Sequence, residues 1–413
     1  MRVAMVSEHA SPLAALGGVD AGGQNVHVAH LATALAARGH EVTVYTRRDA
    51  VDLPERVRLA DGVDVVHVDA GPPTEVPKDA LLPHMEAFGR ELAAHLLEHP
   101  ADLLHAHFWM SGVAARQAAR SVGLPLVITF HALGSVKRRH QGADDTSPPS
   151  RVAVEAGLVA DVDAVLATCT DEVRELVGSE GRDGLGADGA AVHVVPCGVD
   201  VARFTPEGPV GGPPRRMPHR VVVVGRLVER KGVEDVVRAL ALAPGSALGR
   251  TELVVAGGPP ADHLAIDAEA QRLLAVAEEV GVADRVHLLG RADHGDLPAL
   301  LRSADVVVAA PWYEPFGIVP LEAMACGRPV VGSAVGGLLD TVEDGVTGVL
   351  VPPRDPVALA AALAPLLDDP ARRQAWGRAA RERAVAHYGW PEVAARTEDV
   401  YAGVLARTRL EAL

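Results

Sequence analysis

Arg220-Val-Val-Val-Val-Gly-Arg-Leu-Val-Glu-Arg-Lys-Gly-Val-Glu-Asp-Val-Val-Arg-Ala-Leu240 holds two hydrophobic periods in one stretch. The unbroken apolar run 221–224 suits a strand buried on both faces, as parallel sheets covered by helices require. After the glycine-bounded turn, Val233, Val236, Val237 and Leu240 recur at helical spacing. The same strand-then-helix unit repeats outward in both directions. Strands are expected near 2–7, 41–46, 64–69, 102–106, 125–130, 164–168 and 192–196, and again near 220–224, 252–256, 286–289, 305–310, 329–333 and 348–351. Between the two series, Gly208-Pro-Val-Gly-Gly-Pro-Pro-Arg-Arg-Met-Pro218 is too rich in Gly and Pro to continue either element and reads as a linker. The expectation is an α/β chain of two doubly wound, Rossmann-like domains, 1–207 and 219–375, with helices over 376–413 packing back across both. Trp376, Tyr388, Trp390 and Tyr401 are expected core anchors of that tail.

Composition narrows the function. The 413 residues carry 54 acidic against 39 basic side chains, a formal charge of −15, which argues against nucleic acid as a partner. Cys169, Cys197 and Cys326 show no paired spacing and read as reduced small hydrophobes. No apolar stretch reaches the roughly 18 residues of a membrane span, and the start lacks the apolar core of a secretion signal, so a cytoplasmic protein is expected. Gly184-Leu-Gly-Ala-Asp-Gly189 precedes a strand instead of joining strand to helix, and Asp161-Val-Asp163 sits at the wrong end of its strand for a metal. Neither is assigned a role, and no metal site is expected.

Ligands of parallel sheets bind beyond the carboxyl ends of the strands. Four places qualify. The loop Gly17-Gly-Val-Asp-Ala-Gly-Gly-Gln-Asn25 includes Gly22 and Gly23, and Asn25 is the only asparagine in the chain. His131 follows the strand ending at Phe130. Arg226 and Lys231, one of three lysines, offer a forked and a compact cation before a helix start. Glu314-Pro-Phe-Gly-Ile-Val-Pro-Leu-Glu322 spaces two carboxylates too widely for the pair of a glycosidase, so they suit hydroxyls of two different sugar rings.

These strings resemble glycosyltransferase family 4: Glu314 and Glu322 match its E-x7-E motif, and Gly225-Arg226 with Lys231-Gly232 matches its phosphate site. The resemblance spans nearly the whole chain. It implies a GT-B fold and a retaining, metal-independent transfer of a hexose or N-acetylhexosamine from a nucleotide diphosphate sugar, UDP-linked in first preference, with no further cofactor. Residue by residue it implies Arg226 and Lys231 on the diphosphate, with N–H groups of Phe316 and Gly317. It further implies Glu314 on the donor sugar, Glu322 on the ribose, His131 near the reacting face, and Gly22, Gly23 and Arg291 along the nucleotide sugar. Within the family the pattern resembles the inositol-phosphate and sucrose-phosphate groups, which implies a small phosphorylated acceptor held by Asn25, Lys78, Phe108 and Arg151. That pattern is half kept, since a tyrosine and a threonine of the inositol-phosphate group appear here as Phe108 and Ala132. A transferase using GDP-mannose or UDP-glucose with a neutral or lipid acceptor, a silent nucleotide-sugar-binding protein and a nucleotide-sugar 2-epimerase stay open, as does homodimer formation.

Overall fold

The computed structural model describes residues 1–14, 23–179 and 183–411 and divides into two compact units, Met1–Cys197 with Trp390–Leu413, and Gly198–Gly389. The first unit holds β1 (Arg2–Val6), β2 (Glu41–Arg47), β3 (Arg56–Ala60), β4 (Val63–Val68), β5 (Leu103–His107), β6 (Leu126–Thr129), β7 (Ala164–Ala167) and β8 (Val192–Val194). Their order is β3-β4-β2-β1-β5-β6-β7-β8, and every pairing is parallel except β3 with β4. Helices α1 (Gly23–Ala37), α2 (Met85–Glu98), α3 (Trp109–Val122), α4 (Gly134–Gln141), α5 (Arg151–Val159) and α6 (Thr170–Val177) link these strands.

The second unit orders β9 (His219–Val224), β10 (Thr251–Ala256), β11 (Val286–Leu288), β12 (Val306–Ala309), β13 (Val330–Ser333) and β14 (Gly348–Val351) as β11-β10-β9-β12-β13-β14, all parallel. Its helices are α7 (Val233–Ala241), α8 (Ala268–Glu279), α9 (Leu297–Ser303), α10 (Ile318–Ala325), α11 (Leu338–Thr341), α12 (Pro356–Asp368) and α13 (Pro370–Tyr388). Helix α14 (Trp390–Glu411) returns to the first unit.

Each sheet is covered on both faces, which explains the apolar strands. In β1, Val3 and Met5 pack with Val28, Leu31 and Leu35 of α1 and with Tyr401 and Val404 of α14. Ala4 and Val6 face the other way, toward Phe88 and Leu92 of α2 and Ala114 and Ala118 of α3. This is the two-residue alternation of a strand. Tyr388, Trp390 and Tyr401 are buried as expected, and Trp376 packs at the edge of the second unit's core.

Three expectations change. β3 was not foreseen; it forms a short antiparallel edge hairpin with β4, closed by Asp61-Gly62, with Gly62 at φ 75°. The expected linker 208–218 belongs to the second unit: the Gly211 N–H donates to the Ala299 carbonyl, and Arg302 donates to the carbonyls of Thr205 and Pro209. The chain instead passes between units at Cys197–Gly198 and Gly389–Trp390, so α13 stays with the second unit and only α14 joins the first.

In both sheets the connectivity reverses at a defined place, between β1 and β5 in the first and between β9 and β12 in the second. In open parallel sheets such a reversal is the place where ligands bind, beyond the strand ends. Gly232 fixes the second one: it adopts φ 65°, and a Cβ on it would fall 2.0 Å from the Ala310 carbonyl oxygen just past β12. Gly232→Ala is therefore expected to destabilise the protein by about 2 kcal/mol or more, read as a lower midpoint in urea unfolding. An unchanged midpoint would show that this backbone approach is easily relaxed.

Candidate active site

At the end of β9, Arg226 lies exposed, and the turn Glu229–Lys231 leads into α7. At the end of β12, the Trp312 N–H donates to the Arg230 carbonyl at 2.9 Å, and the Arg230 guanidinium lies 5.0 Å from the Tyr313 ring centre. These contacts bring the two loops of the switch point together. Lys231 Nζ then donates directly to the Glu314 carboxylate. Burial pushes the Glu314 carboxyl up, but Lys231, Arg230 and the Gly317 N–H outweigh it and hold it below the usual carboxylate range. The Gly317 N–H, expected on a diphosphate, is thus directed to Glu314.

Gly317, at φ 75°, caps the start of α10, and the Gly337 N–H donates to the Glu314 carbonyl at 2.9 Å, which steadies the loop from β13. Glu322 lies buried on α10 with His294 Nε2 3.6 Å from its carboxylate. Sequence reasoning had passed over His294. Arg291 is exposed after β11, with its backbone N–H on the Pro259 carbonyl. Phe316 follows Glu314 in the same loop.

The first unit shows a matching concentration past β1 and β5. Among the described residues, Phe108 and His131 are two of three other than glycine with positive φ, at 85° and 62°. Such backbone conformations concentrate at functional sites. The Phe108 ring receives Lys78 Nζ 3.8 Å from its centre, and the Arg151 guanidinium stands 5.0 Å from it. Lys78 is exposed as a residue, but its ammonium is directed onto that ring. Enclosure there, with Arg151 and Lys137, brings its pKa down to about 8 against the pull of Glu8.

Arg151 is buried at the start of α5 and already engaged: Nε donates to Glu155 at 2.7 Å, Nη1 to Ser147 Oγ at 3.2 Å and Nη2 to the Ala132 carbonyl at 2.5 Å. Lys137 Nζ donates to the same Ser147 hydroxyl at 2.9 Å and pairs with Asp145 at 3.0 Å. Three cations therefore gather around Phe108 and Ser147, of which the sequence reading had singled out Lys78 and Arg151.

His131 is buried, with Nε2 2.9 Å from His107 Nδ1, inside a cluster with His27 and His105. Burial and the neighbouring imidazoles hold His131 and His107 well below the ordinary histidine range. His131 is thus a neutral hydrogen-bonding group at pH 7. Asn25 sits in the first turn of α1 and donates to the Ser11 carbonyl at 3.0 Å, while Gln24 ties the Ser7 hydroxyl to the His107 carbonyl. Gly23 opens α1; Gly22 lies outside the described residues.

The discounted string Asp161-Val-Asp163 has a structural role. Asp161 pairs with Arg116 and Arg120, and Asp163 accepts the Leu126 N–H at 2.7 Å at the entry to β6. All three cysteines are buried and free of disulfides. Among the described residues no helix is long and apolar enough to cross a membrane.

The chain matches known families along most of its length. Residues 21–203 match the model of Glycosyltransferase Family 4, and residues 212–383 that of Glycosyl transferases group 1. D-inositol 3-phosphate glycosyltransferase 1 of Catenulispora acidiphila is 39% identical over 410 residues, covering 97% of this chain and 95% of that protein. The D-inositol 3-phosphate glycosyltransferase of Kineococcus radiotolerans is 41% identical over 424 residues, covering 97% and 94%. Among solved structures, sucrose-phosphate synthase from Thermosynechococcus elongatus superposes with a TM-score of 0.84 at 32% identity, covering 98% of this chain and 99% of that one.

Proposed function

This chain belongs to glycosyltransferase family 4, and we propose that it moves a hexose or N-acetylhexosamine from a UDP-sugar to a hydroxyl of a small phosphorylated acceptor, with retention and without a metal. The observation that carries the acceptor assignment is the convergence of Lys78 and Arg151 on Phe108 at the β1/β5 switch point. Paired cations at a strand-end crevice suit a phosphate, which Arg holds bidentately and Lys as a point charge. The relatives named for D-inositol 3-phosphate support the same class.

At the β9/β12 switch point, Arg226 and Lys231 neutralise the diphosphate as it leaves, the moment at which its charge grows. Glu314 holds donor-sugar hydroxyls and Glu322 the ribose, with Phe316, Gly317 and Arg291 lining the nucleotide sugar. Neutral His131 hydrogen-bonds a sugar hydroxyl near the reacting carbon. The acceptor oxygen bonds to the anomeric carbon on the face from which the phosphate oxygen departs, and its proton passes to that phosphate oxygen. Screening UDP- and GDP-sugars against inositol phosphates, hexose phosphates and their dephosphorylated forms tests the assignment. Transfer to a neutral acceptor alone would replace it.

Because the cations supply the positive field that a metal would otherwise provide, turnover is expected to survive EDTA. Loss on chelation, restored by magnesium or manganese, would place a metal at the diphosphate.

A further inference from the structure

Glu8 follows β1 at the switch point, 1% exposed, and its carboxylate accepts from Ser111 Oγ at the start of α3 and lies 2.6 Å from His9 Nδ1. The bond network closes on itself, because the Glu8 N–H donates back to Ser111 Oγ at 3.0 Å. The Arg47 N–H on the Glu8 carbonyl fixes the backbone from β2. Burial pushes the Glu8 carboxyl up, but His9, Ser111 and Lys78 together hold it below the usual range, so a charge is kept in the interior. No Lys or Arg forms an ion pair with it among the described residues; its one such contact is His9. A buried carboxylate, even when paired, adds little to stability compared with an apolar side chain of the same volume. Its use is therefore to be sought in the imidazole it holds.

His9 forms the layer between that carboxylate and solvent, with its side chain 14% exposed against 0% for Glu8. Its ring meets the Phe108 ring edge-on at 5.0 Å, beside the face that Lys78 covers. A histidine whose Nδ1–H is committed inward presents Nε2 outward, since the partner of one ring nitrogen sets the state of the other. We propose that Glu8 is a positioning residue that holds His9 with Nδ1–H turned inward, so that Nε2 accepts a hydrogen bond from a ring hydroxyl of the acceptor. This rests on the acceptor reading above and extends it from the phosphate to the hydroxylated ring that carries it.

Glu8→Gln keeps the shape but removes the charge, and its amide N–H2 can donate to Nδ1, which turns the imidazole to the opposite tautomer. With myo-inositol 3-phosphate as acceptor, Glu8→Gln is expected to lower acceptor kcat/KM roughly 10-fold to 100-fold, the range for loss of an orienting partner. Donor KM should move far less. His9→Gln should cost about the same, and adding Glu8→Gln to it should cost nothing more, because one residue acts through the other. In 15N-labelled full-length protein, the His9 ring, assigned by its disappearance in His9→Gln, should be the Nδ1–H tautomer in the wild type and shift to Nε2–H in Glu8→Gln. An Nε2–H ring in the wild type, or penalties of Glu8→Gln and His9→Gln that add, overturns the proposal. The ring signal needs no acceptor, so it still decides the role of Glu8 if myo-inositol 3-phosphate is not turned over, an outcome that counts instead against the acceptor reading.

Discussion

Lys231→Ala is expected to lower turnover by about 10²-fold or more, with Arg226→Ala close behind, by analogy with removal of one preorganised donor from a polarised transition state. Arg226→Ala should change stability little, because Arg226 is exposed, whereas Lys231→Ala also removes the ammonium paired with the enclosed Glu314 carboxylate and should lower stability as well. The variant has a second signature. Lys231 is the strongest of the groups that draw the Glu314 carboxyl down, while burial pushes it up. Without the ammonium the folded-state pKa of Glu314 must rise. A group that works as a carboxylate is lost as pH falls through its pKa, so the acid limb of the residual rate should move to higher pH in Lys231→Ala. Lys231→Arg should not restore the full rate, since a planar fork cannot replace a compact cation set against both a carboxylate and a phosphate. Wild-type rates in Lys231→Ala would remove the diphosphate role.

Much of this was legible in the sequence because it is local. A buried parallel strand is an apolar run, and the loop after it is short, so 221–232 carries strand, switch-point loop and helix start together. What escaped was either weakly patterned or non-local. β3 reads Arg-Val-Arg-Leu-Ala, an alternation overlooked on a short edge strand, although Asp61-Gly62 was the hairpin signal that would have found it. The Gly- and Pro-rich segment 208–218 reports turn geometry and not a boundary, because its carbonyls and N–H groups are met by α9. The true crossings, at Cys197–Gly198 and Gly389–Trp390, are too brief to disturb composition. Glu8 with Ser111, Lys137 with Ser147, and His294 with Glu322 bring together residues that no sequence spacing links. A buried carboxylate, unlike an apolar run, shows its environment only once its neighbours are known.

Removing the acceptor cations should separate the two substrates. Arg151→Ala is the less clean variant, because it strands Glu155, fully buried and bonded to Arg151 Nε and the Gly134 N–H, and breaking such a pair costs about 3–5 kcal/mol. Lys78 is the cleaner target: its ammonium contacts an aromatic face, and it acts on the buried Glu8 carboxylate through space without a direct ion pair among the described residues. Lys78→Ala is therefore expected to raise the KM of a phosphorylated acceptor about 10-fold or more, the worth of a charge-assisted hydrogen bond, with donor KM near wild type. Inorganic phosphate or sulfate should compete with acceptor and not with donor. The pH dependence follows in sign. With a pKa brought down to about 8, Lys78 is charged below that value and neutral above it, so acceptor KM should climb as pH passes about 8. The climb should vanish in Lys78→Ala, whose KM is already high at pH 7. Equal activity on a phosphorylated acceptor and its dephosphorylated form would defeat this account, and the cations around Phe108 would then serve a neutral hydroxylated ring.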